Sequence, residues 1–219
     1  MQAIGLLGGT FDPIHYGHLR LAEEMAAALN LREVRFIPAG LPPHRATPQT
    51  SAAHRLEMVQ RAIADNPRFV LDAREVRRAE EGPDKSARPS YTVDTLTELR
   101  EELGPAQPLY LLLGADAFLG LPSWHDWRRL FELAHIVVAE RPGTAWQLGL
   151  DEDLQRELDA RKTNEVATNA AGSVQILQMT PLAISARRIR EALATQKSVR
   201  YLLPDAVLDY LQQQQLYKS

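Results

Sequence analysis

The chain has 219 residues, 45% of them hydrophobic and 24% charged, and 25 Lys+Arg against 28 Asp+Glu leave a formal net charge of −3. At roughly 150 residues per domain this is about one and a half domains, enough for a real core without disulfides or a structural metal, and the composition excludes a disordered chain, a collagen-like repeat and a long coiled coil. The charge balance is not that of a protein that tracks a nucleic-acid polymer, and the absence of cysteine excludes a disulfide framework, a zinc ribbon, an iron–sulfur cluster and a thiol nucleophile.

Met1 to Leu7 reads as a short buried strand that stops at Gly8-Gly9. From His18 the apolar residues Leu19, Ala22, Met25, Ala26 and Leu29 recur at three- and four-residue steps and predict a helix. A strand at Val34 to Pro38, a loop with four prolines and a helix from about Ser51 to Ala64 follow, then a strand at Phe69 to Leu71. This β-α-β-α-β order predicts a parallel sheet covered on both sides. Between Arg74 and Lys85 eight of twelve positions are charged, which predicts a solvated loop. A helix then starts after Ser90-Tyr91-Thr92, with Val93, Leu96, Leu99 and Leu103 on one side. Leu109 to Leu113 is the strongest strand pattern, and the chain passes through Trp124 to Leu133 into another strand at Ile136 to Ala139. A surface helix over Leu148 to Arg161, a strand at Val174 to Leu177 and helices from Ser185 and Pro204 complete the reading, with Gln212 to Gln215 as a solvated tail.

The expected fold is α/β: a Rossmann-like, doubly wound parallel sheet with helices on both faces over residues 1–180, and a small C-terminal helical extension over 181–219 that belongs to the same functional unit. No apolar run approaches the 18 residues of a membrane span and no basic residues precede Gln2 to Leu7, so the expectation is a soluble, cytoplasmic protein with no membrane partner.

Gly8-Gly9-Thr10-Phe11-Asp12-Pro13-Ile14-His15-Tyr16-Gly17-His18 is the most informative stretch. Two glycines after a buried strand let a phosphate approach the main chain, and a helix beginning at Gly17-His18 adds N–H groups and a positive dipole end. His15 and His18, three apart at a helix start, share a face from which each can donate to a phosphoryl oxygen. The same residues also fit an ordinary turn, a satisfied polar pair or half of a metal site. The zinc pattern H-E-x-x-H is absent, as are the dinucleotide spacing G-x-G-x-x-G and a Walker lysine.

The run Gly8 to His18 resembles the signature of the nucleotidyltransferase superfamily whose motif is written (H/T)-x-G-H, filled here by His15-Tyr16-Gly17-His18. Its wording is similar to the branch that contains bacterial nicotinate mononucleotide adenylyltransferase. Later blocks extend the resemblance over nearly the whole chain: Pro42-Pro43-His44-Arg45, Arg55-Leu56-Glu57-Met58, Pro89 to Leu96, Leu113 to Ala117, Trp124 to Trp127 and Ile184-Ser185 to Ile189-Arg190.

The resemblance implies that His18 and His15, with Ser185 and Arg190, act on the reacting phosphates. It further implies that Gly8, Gly9, Thr10, Phe11, Gly17, Arg45, Ile184, Arg187, Gly114 and Asp116 bind ATP and its phosphates, and that His44, Tyr91, Thr92 and Trp124 bind the nicotinate nucleotide. Where the family reads I-S-S-T-x-I-R, Ala186 and Arg187 replace a serine and a threonine. Arg187 then offers a charge-assisted contact in place of a hydroxyl, and Arg45, where the family usually has lysine, offers a bidentate one. Several of these residues also have a plain structural reading. Ser185 is a good helix N-cap, Trp124 and Trp127 have the spacing of core aromatics, and Asp116 suits either a ribose hydroxyl or an adenine amine. A pyridinium ring is well matched by tryptophan, and a helix start at Tyr91-Thr92 prefers a carboxylate.

The implied reaction joins ATP and nicotinate mononucleotide into nicotinate adenine dinucleotide and pyrophosphate, a step of NAD biosynthesis. Mg²⁺ is expected to travel with ATP, with no protein metal site; Asp12 is the nearby carboxylate, as a metal contact or as a loop cap. Two rivals stand beside this reading: a relative with another acceptor, nicotinamide mononucleotide or phosphopantetheine, and a non-catalytic nucleotide-sensing module.

Overall fold

The computed structural model describes residues 1–42, 47–80, 89–140, 145–165 and 169–218. Six strands, β1 (Ile4–Gly9), β2 (Glu33–Pro38), β3 (Phe69–Leu71), β4 (Leu109–Gly114), β5 (His135–Glu140) and β6 (Val174–Gln178), form one sheet in the order β3-β2-β1-β4-β5-β6. The pairs β1·β4, β4·β5 and β5·β6 are parallel, with Leu6 opposite Leu111, Leu111 opposite Ile136 and Ile136 opposite Val174. Strand order runs outward from β1 in one direction and from β4 in the other, which is the doubly wound arrangement, so the expected Rossmann-like fold is present.

The helices are α1 (Tyr16–Ala28), α2 (Ala52–Ile63), α3 (Arg74–Glu80), α4 (Thr92–Leu103), α5 (Ala115–Leu119), α6 (Leu130–Leu133), α7 (Glu152–Arg161), α8 (Ala186–Ala194) and α9 (Asp205–Gln213). Several start where a short polar side chain satisfies an orphan amide. Ser51 Oγ accepts from His54 N at 3.3 Å, Asp151 Oδ1 from Leu154 N at 2.7 Å and Ser185 Oγ from Arg188 N at 3.3 Å. No helix among the described residues is long and apolar enough to cross a membrane.

The chain divides into two compact units, each assembled from separate stretches. The first comprises Met1–Leu7, Leu21–Arg35 and Ser90–Pro181, the second Gly8–Arg20, Phe36–Pro89 and Leu182–Ser219. In the first unit Leu109 to Leu113 and Ile136 to Ala139 are buried throughout, as strands covered on both faces must be. Arg100 of α4 gathers carbonyls of the loops around these strands: it donates to Leu133 O at 2.6 and 2.8 Å, Gln107 O at 2.5 Å and Ala170 O at 2.8 Å. In the second unit the Phe36 ring packs on Phe11 and Phe69, with centroids 6.0 and 5.0 Å apart. Helices α2 and α9 meet through His54 Nδ1 and Tyr210 Oη, 2.8 Å apart, with the Arg61 guanidinium 4.8 Å from the Tyr210 ring centre.

Two segments differ from the pattern read in the sequence. Residues 74–80, expected as solvated loop, form α3; 81–88 lie outside the described residues. The high charge hides a short amphipathic turn: Val76 and Glu75 are buried, and Asp72 accepts from Arg74 N at 3.1 Å while its carboxylate takes the Arg74 guanidinium at 2.8–3.0 Å. The second is 146–161, where a 3₁₀ turn at Trp146–Gly149 precedes α7 because Trp146 is drawn inward, edge-on to Phe118 at 5.8 Å and donating Nε1 to Glu140 at 2.9 Å.

His135, at the start of β5, is fully buried; Nδ1 accepts from Ser173 Oγ at 2.7 Å or its N at 3.2 Å, Nε2 lies 3.0 Å from Asn169 O, and burial lowers its pKa below the usual 6.5. The folded state therefore keeps this ring neutral where the unfolded chain takes up a proton. Its stabilising contribution is complete above the unfolded pKa and declines as pH falls through it. Urea unfolding should show stability falling between about pH 6.5 and 5.5, by up to roughly 1.4 kcal/mol per pH unit from this group. His135→Leu should flatten that slope while lowering stability at pH 8.

Candidate active site

The carboxyl end of β1 is Gly8-Gly9, and β1 is where strand order reverses, the position at which open α/β sheets bind ligands outside their strand ends. Ala39 N donates to Gly9 O at 2.9 Å and ties the turn to the segment after β2. Phe11 then adopts a left-handed backbone, φ 51°, and folds its buried ring back over Gly9. A Cβ on Gly9 would stand 2.9 Å from Phe11 Cζ, so the ring's position requires glycine there.

Helix α1 carries the two histidines at its start. Their rings stack with centroids 3.8 Å apart and 20° between planes, and Phe11 meets His18 edge-on at 5.1 Å. A Cβ on Gly17 would lie 3.0 Å from His15 Cε1 and Nδ1, so the glycine of the (H/T)-x-G-H motif is the space the His15 imidazole occupies. The His15 amide donates to His18 Nδ1 at 3.3 Å. That bond assigns the proton of a neutral His18 to Nε2, the nitrogen that can donate to an incoming anion. The Tyr16 amide at the helix start already donates to Leu202 O at 3.0 Å, so it is one anion donor fewer than the bare helix start implies.

Asp12 is 4% exposed and its carboxylate is a loop anchor. Oδ2 accepts from Gln49 N at 2.8 Å, and Oδ1 accepts from Thr50 Oγ1 at 2.7 Å and Tyr217 Oη at 2.5 Å. Of the two roles considered for Asp12, these contacts are those of the loop cap. Beneath the same turn lies Arg55 of α2, 1% exposed, donating to Thr10 O at 2.9 Å and Gly40 O at 3.2 Å. Burial lowers the Arg55 pKa and the nearby Asp12 charge opposes that shift; an arginine stays cationic regardless.

Ser185 caps α8 as expected, is exposed, and follows Ile184, whose carbonyl is within 3.7 Å of the Gly17 Cβ position. Arg190 Nη1 donates to the Asp12 carbonyl at 2.5 Å and lies 3.9 Å from Asp12 Oδ2. Arg187 is exposed and paired with Glu191 at 2.8 Å, so any phosphate contact requires it to leave that partner.

The second unit thus brings together Gly8, Gly9, Thr10, Phe11, His15, Gly17 and His18 with Ile184, Ser185 and Arg190. Gly114, Asp116, Tyr91, Thr92 and Trp124 belong to the first unit. There Gly114 ends β4 and Asp116 is exposed in the first turn of α5. Tyr91 precedes α4 in extended backbone and packs its ring on His125 at 4.4 Å, while Thr92 opens the helix. The two tryptophans differ: Trp127 is buried edge-on to Phe131, whereas Trp124 is only partly buried. His44 and Arg45 lie outside the described residues.

Two participants had no role in the sequence reading: Arg55, which entered only as part of a block of the resemblance, and Tyr217. Arg55 sits four residues before Val59 on the face of α2 that is buried, and a charge on an apolar stripe is a signal that it holds something polar inside. Tyr217 follows the glutamine tail and carries no local signal at all.

The family described as cytidylyltransferase-like matches residues 6–192. Two relatives carry the name "Probable nicotinate-nucleotide adenylyltransferase": one from Dechloromonas aromatica (strain RCB), 52% identical and covering 100% of this chain and 99% of the relative, and one from Halorhodospira halophila, 53% identical over 94% and 91%. Among solved structures, the Plasmodium falciparum nicotinic acid mononucleotide adenylyltransferase complexed with NaAD superposes with a TM-score of 0.72 at 19% identity, covering 99% of this chain and 98% of that one. The same enzyme complexed with APC gives 0.70 at 20% identity over the same shares. At that identity the superpositions speak for the fold.

Replacing Arg55 by methionine keeps the volume and removes both donors, leaving Thr10 O and Gly40 O buried without them. The expected cost is about 3 kcal/mol, measured as a lower urea midpoint with an unchanged slope. A midpoint within error of the parent would show that these carbonyls find other partners.

Proposed function

The chain belongs to the cytidylyltransferase-like family, among its nicotinate-nucleotide adenylyltransferases, and from that premise we propose that it transfers the adenylyl group of ATP to nicotinate mononucleotide. The 5′-phosphate oxygen of the mononucleotide attacks the α-phosphorus of ATP, the bond from that phosphorus to the bridging oxygen breaks, and pyrophosphate leaves. The products are nicotinate adenine dinucleotide and pyrophosphate, as NAD biosynthesis requires. The observation that carries the reading is the turn of 8–18: a backbone opening at a strand end, with two stacked imidazoles and buried Arg55 beneath.

That inventory suits this chemistry. A phosphomonoester with a second pKa near 6 is already mostly dianionic at neutral pH, so no general base is needed. What the reaction needs is two anions held in line and relief of the charge that builds on the α-phosphoryl group and the departing pyrophosphate. In this reading Gly8, Gly9, Thr10, Phe11 and Gly17 leave main chain accessible to the ATP phosphates, and His18 donates Nε2–H to the α-phosphoryl oxygen with His15 beside it. Ser185 and Arg190, with Ile184, Arg187 and Arg45, hold the remaining phosphates. Residues 181–219 thereby act as part of the same functional unit as 1–180. Gly114 and Asp116 serve the nucleoside of ATP. Trp124, partly exposed and so able to offer a ring face, stacks on the pyridinium, and Thr92, Tyr91 and His44 receive its carboxylate. Mg²⁺ accompanying ATP would supply relief of the phosphate charge; in this reading Asp12, both of whose carboxylate oxygens accept hydrogen bonds, serves as the loop cap.

Removing one preorganised donor to a reacting oxyanion costs on the order of 10²–10³ in rate, roughly 3 kcal/mol. His18→Ala should therefore lower kcat for pyrophosphate release from ATP and nicotinate mononucleotide by that factor, with KM for the mononucleotide changed by no more than about threefold. Single-turnover rates equal to the parent's would make His18 a packing residue and remove the assigned role.

A further inference from the structure

We propose that Tyr217, beyond the last helix and far in sequence from the motif, is a positioning residue for the phosphate-handling histidines, acting through the buried carboxylate of Asp12. The inference rests on the functional reading above for its kinetic consequence, and on geometry alone for its structural one. Tyr217 Oη donates to Asp12 Oδ1 at 2.5 Å and lies 3.4 Å from Thr50 Oγ1, which donates to the same oxygen at 2.7 Å. Burial and the hydrogen bond to Asp12 both push the Tyr217 phenol up, so it remains a donor at neutral pH.

The path from this contact to the chemistry is short. Asp12 follows Phe11, whose left-handed backbone aims its ring edge at His18, 5.1 Å away, and His18 in turn stacks on His15 at 3.8 Å. The main chain of Asp12 also accepts the Arg190 guanidinium at 2.5 Å. A shift of Asp12 therefore displaces Phe11, both imidazoles and Arg190 together. A carboxylate held by several charge-assisted bonds resists that shift, and Tyr217 supplies one of the shortest. Asp12 is thus a latch that fastens the turn to the segment carrying Thr50 and to the residues after α9, and Tyr217 closes it.

The test uses the full-length protein and three variants, Tyr217→Phe, Asp12→Asn and the double substitution, each first shown to unfold cooperatively on heating. With ¹⁵N-labelled histidine, the ring signals of His15 and His18 should move in Tyr217→Phe while those of His135 stay in place. Asp12→Asn should move the same signals, and the double variant should move them no further. In the pyrophosphate-release assay Tyr217→Phe should lose on the order of tenfold in kcat, the size expected for one hydrogen bond to a charged group, with KM for nicotinate mononucleotide within about twofold of the parent. The double variant should fall no lower than Asp12→Asn, the mark of residues acting as one unit. Unmoved His15 and His18 signals, or kinetic losses that multiply, would overturn the proposal. A parent chain that fails to turn over the mononucleotide sinks the functional reading instead, and the histidine signals then decide the latch by themselves. Should Asp12→Asn not fold, Thr50→Val takes its place and should reproduce the shift of both rings.

Discussion

The geometry of the turn over 8–18 depends on a buried carboxylate, placed beside the position proposed for negatively charged substrates. Asp12, at 4% exposure, would be costly to hold ionised on its own; donors from Gln49, Thr50 and Tyr217 engage its oxygens, and the guanidinium of Arg190 lies 3.9 Å from one of them. Engaging the carboxylate in this way tempers its repulsion of phosphate and ties the turn to chain segments that are distant in sequence. The result is a turn shaped before any ligand arrives, which is what electrostatic preorganisation requires.

Arg55 works from the opposite side. Its buried guanidinium turns the carbonyls of Thr10 and Gly40 inward. Those acceptors are thereby occupied by a cation and do not face an anion. Together Asp12 and Arg55 orient the main chain, Gly9 and Gly17 leave room for the Phe11 and His15 rings, and the rings set one another's position. The catalytic demand on such a site is modest in chemistry and strict in placement, because the attacking phosphate needs no activation.

Much of this was legible in the sequence. The strands at 69–71 and 109–113, the helix over about 51–64 and the capped helix from Ser185 follow from period and from a single capping residue, which are local properties. The motif of 8–18 was legible through its resemblance to the (H/T)-x-G-H signature; taken alone, its glycines and histidines also fit an ordinary turn or a polar pair. The helix over 74–80 was not, because its burial rests mainly on Val76 while charge dominates the composition around it. Nor was Tyr217. Its partner lies 205 positions away, and no pattern within a helix or strand window can report a bond of that separation. By spacing alone Trp124 and Trp127 looked interchangeable, and only the resemblance singled out Trp124; packing separates them as well, burying Trp127 and leaving Trp124 with part of its surface open.

In the proposed reaction the acceptor is a pyridine mononucleotide bearing a carboxylate. Initial rates of pyrophosphate release with ATP and Mg²⁺, measured in parallel for nicotinate mononucleotide, nicotinamide mononucleotide and phosphopantetheine, test it most directly. The highest kcat/KM is expected for the nicotinate compound and none above background for phosphopantetheine; turnover confined to phosphopantetheine, or nucleotide binding with no turnover of any acceptor, would contradict that assignment.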